Sequence, residues 1–185
     1  HKAPFTLGVP FSLKEQFGYR YFIVTDPDLD LSACPDTTIE EMLDMYQNMD
    51  ESIFDFKGNR CNLKDKIGIG IRTDDVPKNA LFMHPCELEY AAWKPAKPNW
   101  KRPDDARVVL PALVDTTFAL YDFNRIHHYG LGGCRTIHIQ MRHLPYYFTP
   151  ENYNSDTAEA TEFRAYLATA NKSSTAKLIQ QGITF

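Results

Sequence analysis

Long apolar runs are missing from this 185-residue chain, and with them any stretch able to cross a bilayer as a helix. No signal-peptide pattern is present. There is no Cys-x-x-Cys pair. Cys34, Cys61, Cys86 and Cys134 are scattered, which reads as reduced core thiols of a cytosolic protein, with two disulfides as the lesser alternative. Positive charge is in deficit. Against 24 Asp and Glu stand 20 Lys and Arg, and the net charge of -4 argues against a general nucleic-acid binder. No repeat, low-complexity tract or second domain interrupts the chain, so one domain over residues 1–185 is expected. What is present suits a globular core: 43% hydrophobic residues, with 12 Phe and 10 Tyr to fill it.

The chain is organised around Tyr19–Asp30, YRYFIVTDPDLD. Tyr21, Phe22, Ile23 and Val24 are aromatic or β-branched, the composition of a buried strand. Three aspartates follow at alternate positions, Asp26, Asp28 and Asp30, with Pro27 fixing φ between the first two. Closely spaced carboxylates at the carboxyl end of a strand can hold a hard divalent cation, and ligands bind at that end in open α/β sheets. The plain alternative is an acidic, Asx-type turn.

Before this stretch, Ser12-Leu-Lys-Glu15 is a capping-box pattern for a short helix. After it, Thr37 or Thr38 caps a helix on which Ile39, Met42, Leu43 and Tyr46 recur at helical spacing. Strand followed by helix is α/β grammar. Asp50–Lys64 is polar, with Phe54 and Phe56 alternating. Lys66–Arg72, KIGIGIR, reads as a second strand, where Gly68 and Gly70 let a backbone or a ligand come close. It ends in Thr73-Asp74-Asp75-Val76-Pro77, a second acidic strand end for which a capped turn is the simpler reading. Glu87–Trp93, with Glu89 inside it, reads as a short helix, and Lys94–Arg107 as a Pro-rich basic loop. Val108–Tyr121 predicts a strand pair, or one strand broken at Pro111. Asp115 within it is a charge in an apolar run, expensive unless paired or functional. A turn over Gly130–Gly133 precedes Arg135–Leu144, where alternation predicts a half-buried strand. Asp156–Asn171 predicts a helix with Phe163, Tyr166, Leu167 and Ala170 on one stripe.

Six stretches taken in order carry a resemblance: HKAP (His1–Pro4), YFIVTDPDLDLSACPD (Tyr21–Asp36), KIGIGIRTDDVP (Lys66–Pro77), ELEYAAW (Glu87–Trp93), LVDTTFALY (Leu113–Tyr121), and RT with RHLPYY (Arg135–Thr136, Arg142–Tyr147). In these the chain resembles a family of small bacterial and large-virus glycosyltransferases of the GT-A fold, from His1 to about Tyr153. The resemblance implies an α/β, Rossmann-like mixed sheet flanked by helices. It implies hexosyl or deoxyhexosyl transfer from a nucleotide-diphosphate sugar, a UDP-sugar first, to a glycan or other hydroxyl acceptor. It implies a Mn²⁺ or Mg²⁺ ion, and a bacterial cytosol or an infected host's cytoplasm as the setting.

By that resemblance Asp26 and Asp28 are the Asp-x-Asp pair, ligating the metal or the ribose, and His143 is the candidate late metal ligand, with a satisfied core or surface histidine as the plain alternative. Arg135 and Arg142 brace phosphate oxygens. An inverting transferase also needs a carboxylate base. The family's usual Glu-Asp pair before the late histidine is absent, since no carboxylate lies between Asp122 and His143. Asp115 is preferred for base duty or donor-sugar contact, Asp75 second, with Asp74, Glu87 and Glu89 behind them; a retaining route needs no such base. The family's opening strand–helix–strand portion, which cradles the nucleotide base, is also expected to be missing. Two other classes compete. One is a zinc hydrolase using His84, Cys86, Cys134 and His138, whose spacings are poor for zinc. The other is a non-enzymatic β-rich binding or coat module, which predicts two stacked antiparallel sheets.

Overall fold

The computed structural model describes residues 12, 14–26, 28–56, 59–81, 100–101, 107–114, 118–125 and 132–169. Residues 14–17 are helical, closed by a hydrogen bond from the Gly18 N–H to the Lys14 carbonyl at 2.7 Å. Gly18 has φ +72°, a turn that a side chain would strain. β1 (Tyr21–Thr25) follows and pairs antiparallel with β8 (Phe118–Asp122), from Tyr21↔Asp122 to Thr25↔Phe118.

β5 (Ile67–Ile71) lies between β8 and β9 (Gly132–His143) and is buried at every residue. It runs antiparallel to β8 and parallel to β9. β7 (Val108–Leu113) pairs antiparallel with β9, and the two-residue β6 (Trp100–Lys101) with the start of β7. β2 (Leu29–Asp30) joins the last residues of β9. The strand order is β1-β8-β5-β9-β7-β6. β3 (Ile53–Phe56) and β4 (Asn59–Asn62) form a separate antiparallel pair. The architecture is α/β, a mixed sheet flanked by helices, and not two stacked antiparallel sheets.

Helix α1 (Thr38–Asn48) shows why this sequence folds so. Met42, Met45, Tyr46 and Met49, at spacings of three and four, form one stripe. They pack with Ile67, Ile69, Ile71, Leu120, Ile139 and Met141 of the sheet. Each such fully buried side chain contributes roughly 1.5–3 kcal/mol. Ile39, expected on the stripe, is half exposed, because the buried face runs through Thr38, Met42, Met45 and Met49 and leaves Ile39 to one side. Thr37 occupies the cap position, but its hydroxyl donates to Glu41 rather than accepting a backbone N–H. The opposite sheet face is a smaller cluster of Leu110, Ala112, Val114, Ala119 and Tyr121, with Phe22, Val24 and Ile137 against it. At the carboxyl end come the short α2 (Pro150–Tyr153) and α3 (Ala158–Thr169), where Phe163 stacks on Phe148 at 4.4 Å.

Several expectations are corrected here. β1 is half-buried rather than buried, because it is the first strand of the sheet and pairs on one side only among the described residues. Pro111 does not break its strand: it sits inside β7 opposite Cys134, beyond the two residues of β6, where no ladder N–H is required of it. Trp100–Lys101, expected in a loop, are the β6 strand. The alternation expected along β9 is interrupted. Gly68 faces Arg135 and Gly70 faces Gln140, so two steps of β5 are matched by five of β9. Thr136 holds this irregularity: its hydroxyl donates to the Ile139 carbonyl at 2.6 Å and accepts the Gly70 N–H at 3.2 Å. The space at Gly70 therefore admits a backbone, not a ligand. Cys34, Cys61 and Cys134 form no disulfide among the described residues, and the last two are buried. Among the described residues no helix is long and apolar enough to cross a membrane.

Candidate functional site

β1 ends at Thr25, and the chain turns through the acidic stretch into β2. β2 is short because only Leu29 and Asp30 find partners, in His143 and Arg142. This pairing, with the Leu144 N–H donating to the Asp28 carbonyl at 3.0 Å, brings two distant pieces of sequence together. The Asp28 Oδ2 and the His143 Nε2 are 3.6 Å apart, with side chains 24% and 17% exposed. That is too long for a hydrogen bond. Burial pushes the Asp28 carboxyl up, but His143 outweighs it and holds the carboxyl below the usual carboxylate range. The Asp28 Oδ1 and the His143 Nδ1 are both buried without a hydrogen-bond partner. Tyr146 meets the imidazole edge-on at 4.6 Å.

Beside this pair lies a network of charges. The Arg142 Nη2 is 2.6 Å from Asp75 Oδ2, and its Nε donates to the same oxygen at 3.1 Å. The guanidinium lies over the Tyr147 ring, 5.2 Å from its centroid, and its Nη1 is 4.0 Å from Asp30. The Tyr147 hydroxyl also bonds Asp75, and Arg72 pairs with both Asp74 and Asp75. Burial pushes the Asp75 carboxyl up, but the hydrogen bonds from Tyr147 and Arg142 hold it below its ordinary range. Burial and Asp75 together push the Tyr147 phenol up. Asp30 is held low chiefly by Ser32, whose N–H donates to it at 2.9 Å.

Among the expected site residues, Asp28 meets His143, and Asp75 meets Arg142. Asp26 is partly buried directly after β1, its carbonyl accepting from Thr25. No group of three or more metal-binding side chains converges among the described residues. Arg135 is not at this site. It is 1% exposed in the middle of the sheet, donating from Nη1 to the Ile69 carbonyl at 2.8 Å. Asp115, Glu87, Glu89, His84 and Cys86 lie outside the described residues. Cys134 is enclosed against Met49 and Lys66, whereas His138 faces Glu41 at 3.4 Å. Sequence reasoning missed Tyr147 and Arg72 as members of the network, although both stand within or beside the quoted motifs.

The donor set fits a divalent ion in one respect. Asp28 offers an unpartnered buried oxygen beside an imidazole, and a carboxylate with an imidazole is a pairing that manganese accepts. Comparison with family models, with curated proteins and with solved structures finds no match to this chain.

Proposed function

We propose that this chain is a metal-dependent glycosyltransferase of the GT-A type, moving a sugar from a nucleotide-diphosphate donor, a UDP-sugar, to a glycan or other hydroxyl acceptor. The observation that carries this reading is the meeting of Asp28 and His143, each with a buried atom left without a partner. A fold rarely leaves such atoms unsatisfied unless something else uses them. Asp28 and His143 would hold Mn²⁺ or Mg²⁺, with Asp26 as a further ligand or a ribose contact. The ion, when bound, offsets the negative charge of the departing diphosphate.

The remaining residues take their parts from the geometry. Arg142 is the phosphate contact: Asp75 and the Tyr147 ring fix its guanidinium, and it remains 44% exposed. A pre-oriented guanidinium suits paired phosphate oxygens. Asp75 positions Arg142 and is a poor base, because two donors hold it as the carboxylate. In an inverting reaction base duty therefore passes to Asp115. The outer side of β1, which pairs with no strand among the described residues, gives a base-binding portion a place to join the sheet.

The test is calorimetric titration of a UDP-sugar panel with and without Mn²⁺. Binding should require the metal. Asp28→Asn and His143→Ala should each weaken it by about 100-fold and Arg142→Ala by about 10-fold. Binding indifferent to metal and to both ligand variants would overturn the reading.

A further inference from the structure

The opposite end of β1 carries a second site, independent of the function proposed above. Arg20 precedes the strand, and Asp122 ends β8 across from Tyr21. Between them and α1 opens a pocket of about 240 Å³, lined by Arg20, Tyr21, Tyr46, Lys64, Asp122 and Arg125. Asp26 and Asp28 follow the far end of β1, roughly 15 Å away at strand rise.

The pocket's floor is Asp122, which is fully buried and fully engaged. It accepts Arg20 Nη2 at 2.9 Å and Nε at 3.2 Å, and the Asn124 N–H at 2.9 Å. This fixes the Arg20 guanidinium, which also lies over the Tyr21 ring, 4.9 Å from its centroid. Its Nη1 makes no hydrogen bond among the described residues. Arg125 is anchored by its backbone N–H to the Asp122 carbonyl at 3.0 Å, and its Nη2 pairs with Glu51 at the rim. The Lys64 ammonium has only a long contact, 3.5 Å to the Gln47 carbonyl. Tyr21 and Tyr46 meet edge to face at 6.0 Å and supply an aromatic wall. The Tyr46 hydroxyl donates to the Lys64 carbonyl at 2.9 Å, which ties that wall to the turn bearing the lysine.

Three cations outnumber Asp122 and the rim's Glu51, which leaves this lining positive in a chain whose net charge is -4. Arg20 is held still before any ligand arrives, so little ordering entropy is lost on binding. Two guanidinium groups and an ammonium suit a dianion with several acceptor oxygens better than a monoanion with two. We propose that this pocket binds a phosphate group, free or carried as the ester of a small ring compound. The tyrosine wall receives the ring; Lys64 and Arg125 close on the phosphate, and Arg20 contributes from a fixed position.

The test is titration of the full chain with inorganic phosphate, phenyl phosphate and acetate at low ionic strength, followed by amide NMR shifts at Lys64 and Arg125. Saturable shifts with both phosphates, and at least about 10-fold weaker ones with acetate, are expected. Tighter binding of phenyl phosphate assigns the site to an ester, and equal binding assigns it to the free ion. Lys64→Gln and Arg125→Gln should each weaken phosphate at least about 5-fold, while Arg164→Gln, outside the pocket, should not. Circular dichroism checks that the variants remain folded. No saturable shift, equal response to acetate, or insensitivity to both pocket variants would overturn the proposal.

Discussion

The two ends of β1 handle a buried carboxylate in opposite ways. At the Tyr21 end, Asp122 is wholly enclosed, and Arg20 and the Asn124 N–H take up its oxygens. At the Thr25 end, Asp28 is less enclosed, yet one of its oxygens has no partner and its nearest cation-forming group stands 3.6 Å off. A satisfied carboxylate anchors a fold; an unsatisfied one costs free energy until something binds it. Asp122 thus holds a strand end and a guanidinium in place, while Asp28 keeps one carboxylate oxygen unpaired.

Both ends hang on the seam between β5 and β9, so the largest effect should come from disturbing it. A Cβ at Gly70 would press into the Thr136 carbonyl oxygen and lie 3.2 Å from that of Ile139, and neither backbone can step aside. Gly70→Ala should cost about 3 kcal/mol in urea unfolding. A cost below about 1 kcal/mol would mean that the seam yields, and the ends could not be compared as fixed sites.

The comparison itself is tested by a matched pair. Asp122→Asn should lower Tm by about 5 °C, since it removes the charge that Arg20 is built around. Asp28→Asn, without metal, should change the unfolding free energy by less than about 1 kcal/mol. Equal losses in the two variants would erase the distinction between an anchoring and an unsatisfied carboxylate.

The smallest effect concerns pH. Asp75 is held below the ordinary carboxylate range, so its contribution is complete above its unfolded-state pKa near about 4. It is lost as pH falls below that value through the lower folded one. Unfolding midpoints between about pH 2 and pH 6 should show the chain losing more stability on acidification than Asp75→Asn does. Parallel profiles would remove Asp75 from the network.

The parts of the fold legible in sequence were those with a strong period. Tyr21–Thr25, Ile67–Ile71 and, on the first helix, Met42 and Tyr46 follow the apolar spacing, whereas Met45 and Met49 join the same buried stripe unannounced. The meeting of Asp28 with His143 was legible only through the resemblance, because it depends on a two-residue strand that no periodicity announces. Arg135 was misplaced for a related reason. The resemblance set it against phosphate oxygens, but β9 is central there, and the arginine finds the Ile69 carbonyl inside the sheet. Asp122 gave no sign at all, since its partner Arg20 stands at the far end of the sequence, beyond the reach of local pattern.

The extra residues that Thr136 gathers in β9 decide which chemistry faces the acids. Their surplus over β5 is three, an odd number, and side chains of a strand change sides with every residue. Lengthened by one residue to an even count, the same strand would set Arg142 where His143 now stands. Asp28 would then meet a permanent cation in place of an imidazole, and the opening would close into one more salt bridge.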